Sequence, residues 1–297
     1  MKKTLIRNIL IPIDFSEASQ RAIVEGARLA NLLDAQLYLM HVLETHPQFY
    51  SRISSIDAMD FTPQDIRTVA ENEMGKIRKY IERKFEIVAK LSISSGHIFS
   101  EIMHYSLRKG IDLIVMGAHG HSGYKEWLIG SNAQSVVTHS LIPVLTLQSS
   151  FHKSGFKRIL LPIDNSIHSR EKVGIATLIA ELFDAEIHII GLPDSREPVE
   201  LNKFYTKIES VEDYIRADDL SYNTTILEGK NLATVAIDYA TRKNCDLIVI
   251  NSGHESRLTQ IFLGAFAEHI VNHSKVPILS LKHSREFYTI ETPGFGV

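Results

Sequence analysis

Gly117, Gly120, Gly130, Ser131 and Asn132 gather in the stretch that follows the apolar run 113–116. A segment that begins where a buried strand ends, and that leads into a helical pattern, can hold an anion. Glycines let backbone N–H groups come close to a ligand. A helix opening at Ser131 presents unpaired N–H groups and the positive end of its dipole. Together these make a cradle suited to phosphate. The spacing is not that of a P-loop, because no G-x-x-x-x-G-K-[ST] occurs. Nor is it a Rossmann fingerprint, because Gly117, Gly120 and Gly123 run G-x-x-G-x-x-G. The competing reading is a flexible strand-to-helix connection. Against it stands a second element, Gly130-Ser131, converging on the same place.

Asp14 is the next candidate. It closes the apolar run 8–13, at the carboxyl end of the first strand, while the glycine segment lies at the carboxyl end of the fourth. In open α/β sheets ligands bind outside those ends, where the strand order reverses. If both serve one ligand, strands one and four are neighbours. A carboxylate accepts hydrogen bonds, so Asp14 suits a ribose hydroxyl or an adenine amine. Capping the following helix together with Ser16 is an equally natural role, and the two are compatible. His119 and His121 flank Gly120; such a pair would ligate zinc only with a third ligand folded nearby. A solvated or phosphate-facing pair is preferred, and no metal site is assigned. Lys125 either neutralises phosphate charge or is solvated, and Trp127 packs under the loop or at an interface. No nucleophile, base and orienting group can be read together, so no catalytic residue is assigned.

The elements that must position these residues occur twice. Residues 7–14, RNILIPID, match 157–164, KRILLPID; 112–117, DLIVMG, match 246–251, DLIVIN; Ile142-Pro143 matches Val276-Pro277. A repeat of this length is a duplicated domain rather than a solenoid unit. The first half reads as strand 8–13, a helix over 18–33 capped by Ser16, strand 37–43, a loop to residue 62, and a long helix from Pro63 to residue 89. Strand 91–95, a helix over 101–108 ended by Gly110, strand 113–116, helix 132–139 and strand 144–147 follow. In the long helix Ile66, Val69, Met74, Ile77, Tyr80 and Ile81 are expected to form the apolar stripe. Doubly apolar strands separated by helices indicate a parallel sheet covered on both faces. The polar link 148–155 joins the halves.

Composition narrows the function classes. At 297 residues with 44% hydrophobic and 23% charged residues, the chain suits two globular domains. A net charge of -3 gives no electrostatic reason to expect nucleic-acid binding. One cysteine, Cys245, excludes an internal disulfide, and its place before an apolar run reads as a buried structural thiol. No apolar run approaches the roughly 18 residues of a membrane span, and the start of the chain lacks the pattern of a signal segment. The expected location is the cytoplasm.

Over both halves the chain resembles a tandem universal stress protein. That family's nucleotide motif, G-x2-G-x9-G-[ST], is matched without a gap by Gly117, Gly120, Gly130 and Ser131. With Pro12-Ile-Asp14 and His41-Val42, the N-terminal half is similar to the ATP-binding branch. The resemblance implies an α/β fold of two repeated doubly wound domains. Each would be a five-stranded parallel sheet in the order 3-2-1-4-5 with helices on both faces, of the adenine-nucleotide alpha-hydrolase-like type. It implies a domain over 1–150 with an intact motif, a second over 151–290 with a degenerate one, and a tail over 291–297. The implied ligand is ATP, with or without magnesium. Pro12, Asp14 and the Val42 backbone would hold adenine and ribose. Met116, Gly117, Gly120 and His121 would wrap the phosphates, and Gly130, Ser131 and Asn132 would close over them. A bulky side chain at Gly117 or Gly130 is expected to block phosphate without disturbing the core.

The second half departs from the motif: Asn251 replaces the first glycine, His254 the second and Ala265 the serine, leaving Gly264 and Asp164. It is expected to bind ATP weakly or not at all. The function implied is a nucleotide-binding regulatory protein of the stress response, with at most slow ATP hydrolysis. Two alternatives stand beside it: a nucleotide hydrolase or adenylyl-transferring enzyme, and a carrier of a non-nucleotide small ligand in the C-terminal domain. By the same resemblance the last strands of the two halves would pair as an intramolecular pseudo-dimer, with a homodimer as a further step.

Overall fold

The structure is a computed structural model that describes residues 6–44, 62–118, 129–166, 168–253 and 263–282, the side chain of Pro63 excepted. The chain forms two compact units, one around its first five strands and one around its last five. The first runs β1 (Asn8–Pro12), α1 (Glu17–Leu33), β2 (Gln36–Leu43), α2 (Pro63–Phe85), β3 (Lys90–Ser95), α3 (Ile98–Lys109), β4 (Leu113–Gly117), α4 (Ser131–His139) and β5 (Val144–Leu147). The second runs β6 (Arg158–Asp164), α5 (Val173–Phe183), β7 (Glu186–Leu192), α6 (Pro198–Ala217), β8 (Tyr222–Ile226), α7 (Leu232–Arg242), β9 (Leu247–Asn251), α8 (Ala265–His273) and β10 (Ile278–Leu281).

In the first unit the strand order is β3-β2-β1-β4-β5, and in the second β8-β7-β6-β9-β10, so both follow 3-2-1-4-5. The pairings are parallel, with Ile9 opposite both Leu37 and Leu113 in the first unit and Ile159 opposite both Ile187 and Leu247 in the second. Strands one and four are therefore neighbours, as a shared ligand requires. The central strands are apolar on both faces because helices cover both: Ile9, Leu10, Ile11, Ile114 and Val115 are fully buried.

Local chemistry explains where the helices begin and end. Ser16 caps α1 by accepting from Ser19 N–H at 3.2 Å. Thr62 and Asp65 form a reciprocal capping box at the start of α2, and the hydroxyl and backbone bonds from Thr62 hold the Asp65 carboxyl below its usual range. That helix stops at Phe85, not at residue 89, because Glu86 turns into the left-handed region at φ 58. Its buried stripe is Ala70, Met74, Ile81 and Phe85, while Val69 and Tyr80 are exposed. The third helix opens at Ile98, three residues before the sequence pattern places it.

One aspartate of the repeat belongs to the architecture rather than to a site. Asp112 Oδ2 accepts from the backbone N–H groups of Arg7 and Asn8 at 2.8 and 2.9 Å. Asp246 Oδ1 accepts from those of Lys157 and Arg158 at 2.8 and 2.9 Å. In each unit this carboxylate ties the start of the first strand to the start of the fourth, at the amino end of the sheet.

Candidate functional site

The carboxyl end of the first sheet collects most of the sequence-predicted residues. Pro12 is the last residue of β1, Val42 lies one residue from the end of β2, and Met116 and Gly117 finish β4 beside β1. The Met116 side chain is buried in the core, so only its backbone lies at the rim. Ala118 N–H donates to Leu147 O at 2.8 Å, which fixes the exit from β4. Gly130 N–H then donates to Ala118 O at 2.7 Å, and Gln134 N–H to Gly130 O at 2.9 Å. These bonds bring the start of α4 back to the end of β4, with Ser131 and Asn132 exposed in its first turn. Gly120, His121, His119, Lys125 and Trp127 lie outside the described residues.

Asp14 stands just past β1 and is exposed. Its Oδ1 accepts from the Ser16 backbone N–H at 3.0 Å and from the Ser16 hydroxyl at 2.6 Å. The same turn recurs in the second unit, where Asp164 Oδ1 accepts from Ser166 N–H at 3.1 Å and from its hydroxyl at 2.6 Å. A bond kept in both units is part of the fold. The turn uses one carboxylate oxygen and leaves the capping and ligand roles of Asp14 compatible. Between Asp14 and Ser16, Phe15 adopts φ 64, which for a bulky side chain is a strained, left-handed conformation. Its ring lies on that of His41, with centroids 4.7 Å apart. His41 Nδ1 lies 2.7 Å from Ile13 O; a carbonyl only accepts, so Nδ1 carries the proton and donates. Nothing in the sequence marked Phe15, and His41 drew notice only through the resemblance.

Gly117 has a structural role that the motif does not reveal. A β-carbon there would lie 2.8 Å from the carbonyl carbon and the β-carbon of Ala18 and 2.8 Å from Ser19 N. The absence of a side chain lets the first turn of α1 settle on the end of β4. The expectation that a bulky residue at Gly117 would spare the core is therefore wrong.

At the equivalent place in the second unit the chain is built differently. The repeat places a helix start near residue 167, but α5 begins only at Val173. Before it the chain makes i→i−3 turns: Ser169 N–H donates to Ser166 O, Glu171 N–H to His168 O and Val173 N–H to Arg170 O, at 3.2, 3.1 and 3.0 Å. Asn251 stands where Gly117 stands in the first unit. Its Nδ2 donates to His168 O at 3.0 Å, and its Oδ1 accepts from Lys172 Nζ at 2.9 Å. Lys172 is buried at 4% exposure and donates also to Ser169 O at 3.0 Å. Burial pushes its pKa down to about 8, against the opposing pull of the Asp164 charge. Burial raises the Asp164 pKa, but the Lys172 charge and bonds from Ser166 and Ser169 outweigh it and hold it below the usual range. Lys207 Nζ donates to the backbone oxygens of Asp164 and Ser166 at 2.9 and 2.7 Å. This network escaped the sequence reading. The signal was present: Lys172 aligns with Ala22, a fully buried position of α1.

Elsewhere the chemistry is structural. Cys245 is buried, and burial, reinforced by the Asp246 charge, pushes its thiol up to about 12, too high for a nucleophile. A shallow polar cavity of about 600 Å³ lies at the amino ends of the strands of the second unit. Its charges pair with one another, Lys153 with Asp246 at 3.5 Å and Lys157 with Asp184 at 3.9 Å, rather than converging on a ligand. Among the described residues no group of three or more His, Cys, Asp or Glu could hold a metal, and no helix is long and apolar enough to cross a membrane.

Comparison with known proteins agrees with this geometry. The family model described as "Universal stress protein family" matches residues 5–148 and again 155–282. Universal stress protein YxiE of Bacillus subtilis is 28% identical over 151 residues, which is 48% of this chain and 100% of that protein. Universal stress protein A homolog 1 of Coxiella burnetii is 30% identical over 141 residues, 48% of this chain and 95% of that protein. Among solved structures, a universal stress protein from Archaeoglobus fulgidus superposes with a TM-score of 0.74 at 22% identity, covering 95% of this chain and 99% of its own. One from Pseudomonas aeruginosa gives a TM-score of 0.68 at 16% identity, with 94% of each chain covered. At such identities the two structures speak for the fold. With its matched halves, repeated strand order and repeated turns, the chain belongs to the universal stress protein family, as a tandem of two such domains.

Proposed function

We propose that this protein binds an adenine nucleotide, ATP by preference, at one site in its N-terminal half, and acts as a nucleotide-responsive regulator with at most slow hydrolysis. The observation that carries the reading is the closure of Gly130 onto Ala118 O, which sets the exposed first turn of α4 at the mouth of β4. Free N–H groups, the Ser131 hydroxyl and the helix dipole suit phosphate. The second oxygen of Asp14, with Pro12 and the Val42 backbone on the adjoining strand ends, suits the nucleoside. Met116 would contribute backbone only. Gly120 and His121 enter this proposal through the family motif. A magnesium ion would arrive on the phosphates, since the described residues offer no cluster of their own for it.

The proposal includes one nucleotide site with an intact motif and one degenerate site per chain, domains over 1–150 and 151–290, a cytoplasmic location, and pairing of the two halves through their last strands. A homodimer would be a further step, read by light scattering.

Because Gly117 packs on α1, the cleaner variant is Ser131→Asp. It keeps a good residue at a helix start but sets a negative charge where phosphate would sit. Calorimetric titration should give one site per chain in the wild type and a loss of about tenfold or more in the variant, the scale of one charge-assisted hydrogen bond. Unchanged affinity, or two equivalent sites in the wild type, would overturn the assignment. ATP turnover above about 1 per second, within the common enzyme range, would favour an enzyme instead.

A further inference from the structure

The crevice of the second unit is surrounded by acceptors. Asn251 Oδ1, Ser169 O and, at 3.5 Å, Ser169 Oγ converge on one ammonium, with the Asp164 carboxylate supplying the counter-charge. The cation is Lys172, and the chain around it is shaped to deliver it. The first turns of the expected helix are replaced by i→i−3 turns, which carry Lys172 from the aligned position of Ala22 into the crevice. Asn251 accompanies that rewinding. In the first unit the missing β-carbon of Gly117 is what admits the backbone of Ala18 and Ser19. Asn251 brings a side chain to that place and bonds the carbonyl of His168, the residue aligned with Ala18. Lys207 and Glu171 are the other charges that act on Lys172, one opposing and one favouring its charged form, and Lys207 secures the turn from α6.

We infer that the second unit's crevice is occupied from within: it is a site for a primary ammonium, and Lys172 is its resident ligand. Its ligand class is thus opposite in charge to the phosphate proposed for the first unit. An anionic nucleotide meets an amine already bound to Asn251, and a free amine meets a tethered competitor.

The inference rests on reading the carboxyl-end crevices as the ligand sites of these domains, but its test involves no nucleotide, so failure of the ATP assignment leaves it standing. Lys172→Ala leaves the acceptors and removes the cation. Ethylammonium chloride at millimolar concentration should then raise the melting temperature of Lys172→Ala above that given by equal sodium chloride, and should leave the wild type and Lys172→Met unmoved. Equal shifts in all three, or none in Lys172→Ala, would overturn the inference. Should Lys172→Ala not fold, acylation of the native wild type followed by mass spectrometry decides. Lys172 should be modified far more slowly than the exposed Lys203, and equal rates would refute the internal ligand.

Discussion

At the end of β4, Gly117 lies against the backbone of Ala18 and Ser19; at the end of β9, Asn251 lies against the carbonyl of His168 and the ammonium of Lys172. The two crevices share the same strand order, the same Asp–Ser turn and the same carboxylate tie at the amino end of the sheet. They differ at the position where a strand end meets a helix start. There, a glycine lets a helix begin at Glu17, whereas an asparagine accompanies a start at Val173 and a filled crevice. Loss of a glycine in a binding motif therefore does more than remove a close approach to the ligand. It changes which backbone can pack beside it and what fills the vacated space.

The comparison breaks most visibly at Gly117. Gly117→Val should destabilise the first unit by about 3 kcal/mol or more in urea, because even a β-carbon meets α1 backbone at 2.8 Å and the branched methyls add to the overpacking. A variant of wild-type stability would remove the packing explanation. Next come the shared carboxylates. Asp112→Ala and Asp246→Ala each strip the acceptor from two backbone N–H groups, and each should cost about 2–3 kcal/mol by denaturant unfolding. Strongly unequal losses would show that the two units do not use the tie alike.

The smallest effect, read over the single unit from about pH 8 to 9, concerns pH. A lysine whose folded-state pKa is about 8 binds fewer protons folded than unfolded up to its ordinary 10.5. Across that window Lys172 makes stability rise with pH, by at most about 1.4 kcal/mol per unit, opposed above about pH 9 by Cys245, whose raised thiol keeps its proton longer folded than unfolded; the lysine's charge penalty is fully present below the window. Lys172→Met, lacking the titrating group, should remove that slope. Identical pH profiles from about 8 to 9 would mean that Lys172 is not buried as a cation facing Asp164, Lys207 and Glu171.

Much of the fold was legible in the chain. Doubly apolar strands, the Ser16 cap and the Gly110 stop act between near neighbours and leave local patterns, and the duplication shows itself in matched segments. The end of α2 and the start of α3 were not, because Glu86 enters a left-handed turn without a glycine and His97 caps α3 without a side-chain bond. Of the candidate site, the end-of-strand positions of Pro12, Asp14 and Gly117 were legible, since each follows an apolar run. That the Met116 side chain faces the core was not.

The amino-acid sequence by itself determined the two domains, their parallel sheets and the loss of three of the four motif residues from the second half. Only the tertiary structure decided why Gly117 must lack a side chain and what occupies the second crevice. The reason is distance along the chain. Lys172 and Asn251 are 79 residues apart and meet only because β6 and β9 lie side by side. The energies of such a meeting, a buried amine with its acceptors or a clash of one β-carbon, belong to the packed interior and have no counterpart in local periodicity.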